Sequence, residues 1–282
     1  MITQAPSHAP VTRAIARVTG LYRYPVKGLS PERLEIVDLE ADRGFPLDRI
    51  YALARHGGLF EPGSTQGLPK YEFHMLAKDA RLAALQTAIA ADGETLVVAV
   101  RGHEVLRSNL STAAGRAAAQ SFFARVLDCA PGREPLIARV PGRRFTDAAP
   151  AGDLGMNAVS LINIASVRDV SERIGIDLDP LRFRANIYVD DLAAFAEQDL
   201  IGARLQIGET RFEVLSPTPR CAATEVDPTT GRRNARVPKL MMQHYGHSVL
   251  GVYLRVASAG RLRTADAVSI DDDHSYAPGP HA

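Results

Sequence analysis

Cysteine is nearly missing from this sequence, and its scarcity excludes several chemistries. Two thiols in 282 residues, Cys129 and Cys221, cannot build a disulfide scaffold, an iron–sulfur cluster or a four-thiolate zinc site. That fits a reducing compartment. Net charge is nearly missing too: 33 basic against 32 acidic side chains leave +1, so no bulk attraction to nucleic acid or a membrane surface is expected. No apolar run approaches the roughly 20 residues of a membrane helix. The opening Met1-Ile2-Thr3-Gln4 lacks the basic-then-apolar pattern of a secretory signal, and a cytoplasmic location is the expectation. Also missing are Gly-x-Gly-x-x-Gly after a strand, a phosphate-loop Gly-Lys-Ser/Thr, His-Glu-x-x-His and Cys-x-x-Cys. These absences argue against a self-contained nicotinamide or flavin enzyme and against a zinc hydrolase.

What is present is an ordinary globular composition, 46% hydrophobic and 23% charged, at a length that admits one large or two modest domains. Both ends, residues 1–12 and 273–282, read as tails rich in Pro, Ala, Gly and His. Between them lie many short strand-like runs: Ala16–Tyr22, Leu34–Leu39 with alternating burial, Arg49–Ala54, Thr95–Val100 before a Gly102 turn, Ala158–Asn163, Phe183–Val189, a hairpin around Gly208-Glu209-Thr210, Gly251–Val256 and Ala267–Ile270. Thr112 caps a helix running to Leu127, with Ala117, Phe122, Phe123 and Val126 on one face. Further helices are expected near Ser166–Ile174 and Pro238–Tyr245. Ala130–Pro135 is a seam, dividing residues 13–130 from residues 131–272. The pattern predicts a β-rich α/β or barrel fold.

Chemistry concentrates in loops and strand ends. Cys221 follows Arg220 in the turn-rich run Ser216–Pro228, where a guanidinium would favour thiolate, a soft ligand for a soft metal or a nucleophile. Lys27 follows Tyr24-Pro25-Val26, and Gly28 allows close backbone approach. Arg49 follows Asp48. Arg182 and Arg184 alternate with Phe183 and Ala185, which predicts both guanidiniums on one strand face, continued by Asn186. Converging, these cations would form a fork for phosphate oxygens. Singly, each is as well explained by a solvated loop, a local ion pair or a snorkelling side chain. His74 is expected to pack, His244 and His247 to cap a helix end, and Cys129 to fill space beside the first helix.

Together, Tyr24-Pro25-Val26-Lys27, Asp48-Arg49, Phe183-Arg184-Ala185-Asn186 and Arg220-Cys221 leading to Val226-Asp227-Pro228 resemble, in order, the molybdenum cofactor sulfurase C-terminal (MOSC) superfamily. The likeness is to its two-part members with an N-terminal β-barrel-like domain, and it covers about Ala14 to Ile270. It implies an N-terminal MOSC-type domain over 13–130 and a MOSC β-barrel with peripheral helices over 131–272. It also implies a molybdopterin-type molybdenum cofactor between them. By this resemblance Cys221 is the catalytic residue and the sulfur ligand to molybdenum; Lys27, Arg49 and Arg184 hold the pterin phosphate; Asn186 contacts the pterin. Gly28, Arg182, Arg220 and Thr224 complete the implied cofactor-binding set. Gly28 stands where the related amidoxime reductases carry Ser, which removes a hydroxyl but keeps a backbone N–H. The implied activity is reduction of N-hydroxylated or N-oxide compounds, with a small-molecule substrate and electrons from a separate reductase. The alternatives are a sulfur-carrier or cofactor-handling protein using a Cys221 persulfide, and a non-catalytic binder of a phosphorylated ligand.

Overall fold

Alternation builds the longest N-terminal strand. In β1 (Ala14–Arg23) Ala16, Val18 and Gly20 are buried while Arg17 and Thr19 face out, the period of two that a half-buried strand requires. The computed structural model describes residues 14–271; the expected tails, with His274 and His281, lie outside them. After β1 come β2 (Glu32–Leu34), β3 (Ile36–Leu39), β4 (Tyr51–Ala54), β5 (Gln86–Ile89), β6 (Thr95–Val100), β7 (His103–Asn109), helix α1 (Ala113–Leu127) and β8 (Leu136–Arg139). The later half holds α2 (Asp153–Met156), β9 (Val159–Asn163), α3 (Ile164–Ile174), β10 (Ile187–Asp190), β11 (Arg204–Ile207), β12 (Thr210–Pro219), α4 (Val237–Tyr245), β13 (Val249–Val256), β14 (Gly260–Arg263) and β15 (Ala267–Ile270).

Seven strands close into a barrel in the order β10-β9-β13-β12-β11-β15-β1, and β1 returns to pair with β10. Closure removes the sheet edges. Its interior is filled by Val18, Leu161, Ile187, Leu205, Phe212, Val252, Leu254 and Val268. Only β9 and β10 run parallel; α3 makes the crossover between them and packs with α4 through Val167, Val170, Val237 and Met241. A second apolar cluster joins the β5-β6-β7 meander to α1 through Leu82, Leu96, Val98 and Phe123. Thr112 caps α1 as predicted, its Oγ1 accepting from the Gly115 N–H at 3.0 Å.

Three expectations need correction. The expected strand Leu34–Leu39 is broken at Glu35: β2 pairs with β1 and β3 with β14, so its halves serve different sheets. On α1 the buried face is Ala119 and Phe123, while Ala117 is exposed; the helix is amphipathic through fewer positions than its apolar residues suggested. Phe183–Asn186 is not strand. Pro180–Phe183 is a 3₁₀ turn and Arg184 has φ 55, so β10 begins only at Ile187. Strand pairing joins the two sides of the Ala130–Pro135 run in three places. β1 sits in a ring otherwise made from residues 159–270, β3 pairs with β14, and β4 pairs with β8.

Candidate functional site

Two short segments laid side by side form one wall of the site. The Tyr24 N–H donates to Asp48 Oδ1 at 2.7 Å. The Arg49 N–H reaches the Tyr24 carbonyl at 2.7 Å, Tyr51 N–H the Pro25 carbonyl at 3.0 Å, and Lys27 N–H the Tyr51 carbonyl at 2.8 Å. Pro25 supplies an acceptor and needs no donor here. Arg144 fixes the turn that carries Asp48 by donating to the carbonyls of Gly44, Phe45 and Asp48. Gly28, at φ +81, is tightly enclosed: a Cβ would stand 3.2 Å from the His74 carbonyl oxygen and from Met75 Cα. The left-handed turn and the close approach both favour glycine.

The opposite wall comes from the later half. The Asn186 carbonyl oxygen of the side chain accepts from Ser160 N–H (3.2 Å) and Oγ (3.0 Å), and its Nδ2 donates to the Tyr22 carbonyl at 3.1 Å. This one amide pins β1 to β9. Arg182, 2% exposed, donates to Asp227 Oδ2 (2.9 Å) and Asn234 Oδ1 (2.7 Å), so its charge is committed to the loop after Cys221. Arg184 departs from it because the left-handed backbone at 184 turns its side chain elsewhere. It donates to the Leu29 carbonyl at 2.7 Å. Arg220 donates to the carbonyls of Leu250 and Phe183; its hydrogen bonds do not go to Cys221. Cys221 itself is partly exposed at the end of β12, and Thr224 donates its hydroxyl to the Cys221 carbonyl at 2.9 Å. β12 tolerates Pro217 and Pro219 because β11 pairs with it only as far as Glu213, leaving the proline side without a ladder to break.

All nine residues singled out in the sequence, Lys27, Gly28, Arg49, Arg182, Arg184, Asn186, Arg220, Cys221 and Thr224, line one cavity between the two halves. Cys221 is the one thiol on its wall. Lys27 is 5% exposed and donates to the Phe145 carbonyl at 3.0 Å and to the Asp147 carboxylate. Burial pulls its ammonium below the ordinary lysine range, and Asp147 only partly restores it. Burial likewise pulls Arg184 down to about 10. For Arg49 the opposing effect wins: burial works against the charge, but Asp48 holds it on more firmly than usual. Burial would raise the Asp147 carboxyl; Lys27, then Lys70 and Arg49, outweigh it and hold the group well below the usual carboxylate range. Its side chain remains 47% exposed, so water screens part of that effect.

Sequence reasoning missed Lys70 and Asp147. Lys70 Nζ lies 3.4 Å from Asp147 Oδ2; burial works against its charge, and Asp147 and then Cys221 more than reverse this, so its pKa is raised. Both sit in Gly/Pro-rich loops with no periodic pattern, where a single charge carries no signal. His74, expected to pack, is buried and also bonded, its Nδ1 3.1 Å from Asp79 Oδ2. Cys129 is partly exposed and unpaired. Among the described residues no three His, Cys, Asp or Glu side chains gather as a metal cage, and no helix is long and apolar enough to cross a membrane.

Residues 15–132 match the MOSC N-terminal beta barrel domain and residues 144–269 the MOSC domain: the chain belongs to the two-domain MOSC family. Among curated proteins it is 31% identical over 144 residues to mitochondrial amidoxime-reducing component 1 of Danio rerio, covering 48% of this chain and 41% of that one. It is 30% identical over 122 residues to mitochondrial amidoxime reducing component 2 of Rattus norvegicus, covering 39% and 36%. A shorter stretch of 79 residues is 39% identical to molybdenum cofactor sulfurase of Homo sapiens, covering 28% of this chain and 9% of that one. The matches span less than half the length of each of these relatives.

Proposed function

We propose that this chain binds a molybdenum cofactor in the cavity between its halves, with Cys221 as protein sulfur ligand, and reduces N-hydroxylated or N-oxide compounds. The observation that carries the reading is the donor set around one cavity: a single partly exposed thiol among an excess of cations. Lys27, Arg49 and Arg182 each have a carboxylate partner, but Arg184 and Arg220 have none within ion-pair distance among the described residues. A guanidinium left without a counter-charge in a low-dielectric cavity is costly unless an anion arrives. Thr218, 3% exposed and on the same wall, has a hydroxyl with no partner. The set fits a phosphate-bearing group with a soft metal.

In this reading Arg184, Arg49 and Lys27 would hold the phosphate, and the Gly28 turn would let backbone approach the ligand. Cys221 would supply one thiolate. The cofactor, when bound, would supply a two-electron redox centre. Breaking an N–O bond takes two electrons and two protons, and water leaves; with no flavin or iron–sulfur motif in the chain, a separate reductase would deliver the electrons. Asp147 lines the cavity with Cys221 and is paired with Lys70, where the two can orient a polar substrate. A reducing cytoplasm suits a free thiol in this position.

The test is metal analysis of protein from a cofactor-competent host. Near-stoichiometric molybdenum, lost in Cys221→Ser together with turnover of a benzamidoxime-type substrate, is expected. Molybdenum retained with full turnover in that variant would remove the ligand role. The likeness to molybdenum cofactor sulfurase favours a second reading, a Cys221 persulfide in sulfur transfer. It predicts cyanide-labile sulfane sulfur on Cys221 and no redox turnover.

A further inference from the structure

Tyr24 does not line the cavity, yet two guanidiniums that do line it lie over its ring. The Arg49 and Arg184 Cζ atoms are 4.7 and 4.2 Å from the ring centroid. The ring is fully buried, and its backbone is fixed on both sides, by Asp48 and by Arg49. Arg49 also donates through Nη2 to the Arg184 carbonyl at 2.9 Å, so the two cations belong to one assembly. Like charges held this close repel, and the Asp48 carboxylate pairs with Arg49 alone. A second carboxylate would hold Arg184 equally well, but it would cancel the field that attracts an anion. The face of an aromatic ring attracts both cations through its quadrupole and adds no net charge.

We infer that Tyr24 is a positioning residue whose ring holds Arg49 and Arg184 together as a fork for a phosphate dianion while leaving their charge free to bind it. This rests on the anion-binding part of the proposed function. The hydroxyl is dispensable: it is buried and makes no hydrogen bond. What the ring supplies is preorganisation, so its loss lets the two arginines splay to other partners before the anion arrives.

The experiment uses the full chain made in a host lacking the cofactor, titrated with inorganic phosphate in a calorimeter. Tyr24→Phe should bind within about twofold of the parent. A fluorinated phenylalanine at position 24, the same shape with a weakened ring face, should bind at least about fivefold more weakly, and Tyr24→Leu about tenfold. Should Tyr24→Leu fail to fold, the two phenylalanine forms decide. Equal phosphate affinity in those two forms would overturn the inference, as would a loss in Tyr24→Phe as large as in the fluorinated form. Molybdenum content of each variant from a competent host separates the two ideas. A metal-free chain with the expected phosphate series loses the cofactor reading and keeps the role of Tyr24. A metal-loaded chain with a flat series does the reverse.

Discussion

Arg184 donates one hydrogen bond, to the Leu29 carbonyl, and otherwise rests on the Tyr24 ring. A cation arranged this way lowers the stability of the chain that holds it and raises the affinity for an anion. Arg184→Met, which keeps the stem and removes the charge, should therefore melt at or above the parent temperature while phosphate affinity falls at least about tenfold. A thermal melt beside a phosphate titration checks both; a lower melting temperature with unchanged binding would show the charge to be structural. Arg182 is the contrasting case. Its contacts with Asp227 and Asn234 tie the loop after Cys221 to the turn before β10, so it shapes the cavity wall without offering a free charge. The sequence put Arg182 and Arg184 on one strand face as equals. A left-handed backbone at Arg184 gave them opposite duties.

Between elements, the most concentrated joint is Asn186, whose side chain makes three hydrogen bonds linking β1, β9 and the start of β10. Asn186→Ala should cost on the order of 3 kcal/mol in urea unfolding, because it leaves buried groups of Ser160 and Tyr22 without partners. Thr112→Ala, which removes one exposed cap from α1, should cost about 1 kcal/mol. A smaller loss at Asn186 than at Thr112 would contradict this assignment. The resemblance gave Asn186 a cofactor contact; its amide is already engaged on both sides, so any contact it makes is by its remaining N–H. Pro217 and Pro219 show how element and site are joined. They are tolerated because β12 has lost its β11 neighbour by that point, and the same stretch, paired only with β13, delivers Cys221 to the cavity.

At the scale of the whole molecule, the two halves complete each other. Residues 1–130 alone would leave β3 without β14 and β4 without β8, and residues 131–282 alone would open the barrel between β15 and β10. Expressed separately, neither half should give the dispersed amide spectrum of a folded protein, while co-expression should restore it. A well-dispersed spectrum from either half alone would refute this. The pH response also belongs to the molecule as a whole. In Asp79 and Asp227 burial favours the neutral acid, but His74 with Arg55 in one case, and backbone N–H donors with Arg182 in the other, outweigh it; Asp147 is depressed by Lys27. Each carboxyl has a folded pKa below its unfolded one, so its stabilisation is present above the ordinary carboxylate range and is lost as pH falls through it. Stability should fall from about pH 4 downward, and Asp147→Asn should flatten that decline. Glu197 acts with the opposite sign. Burial raises its pKa despite the Ser166, Asn163 and Gly251 donors, so its cost grows as pH rises from the ordinary glutamate value toward its folded one. Unfolding free energies measured between roughly pH 3 and pH 6 test both signs.

By itself the sequence determined the β-rich class, the Thr112 cap, the Gly208 hairpin and the segments from which the cavity residues come. Those features depend on backbone sterics and on the period of a few neighbouring side chains, and both are local. The tertiary structure decided what no local pattern carries. Strand β1 pairs with β15 some 250 residues away. Lys70 and Asp147, separated by 77 positions, pair at the cavity wall. A guanidinium is structural or free according to which carboxylate the fold places opposite it. Pairing partners and counter-charges are set by distant parts of the chain, and their energies appear only once the barrel has closed.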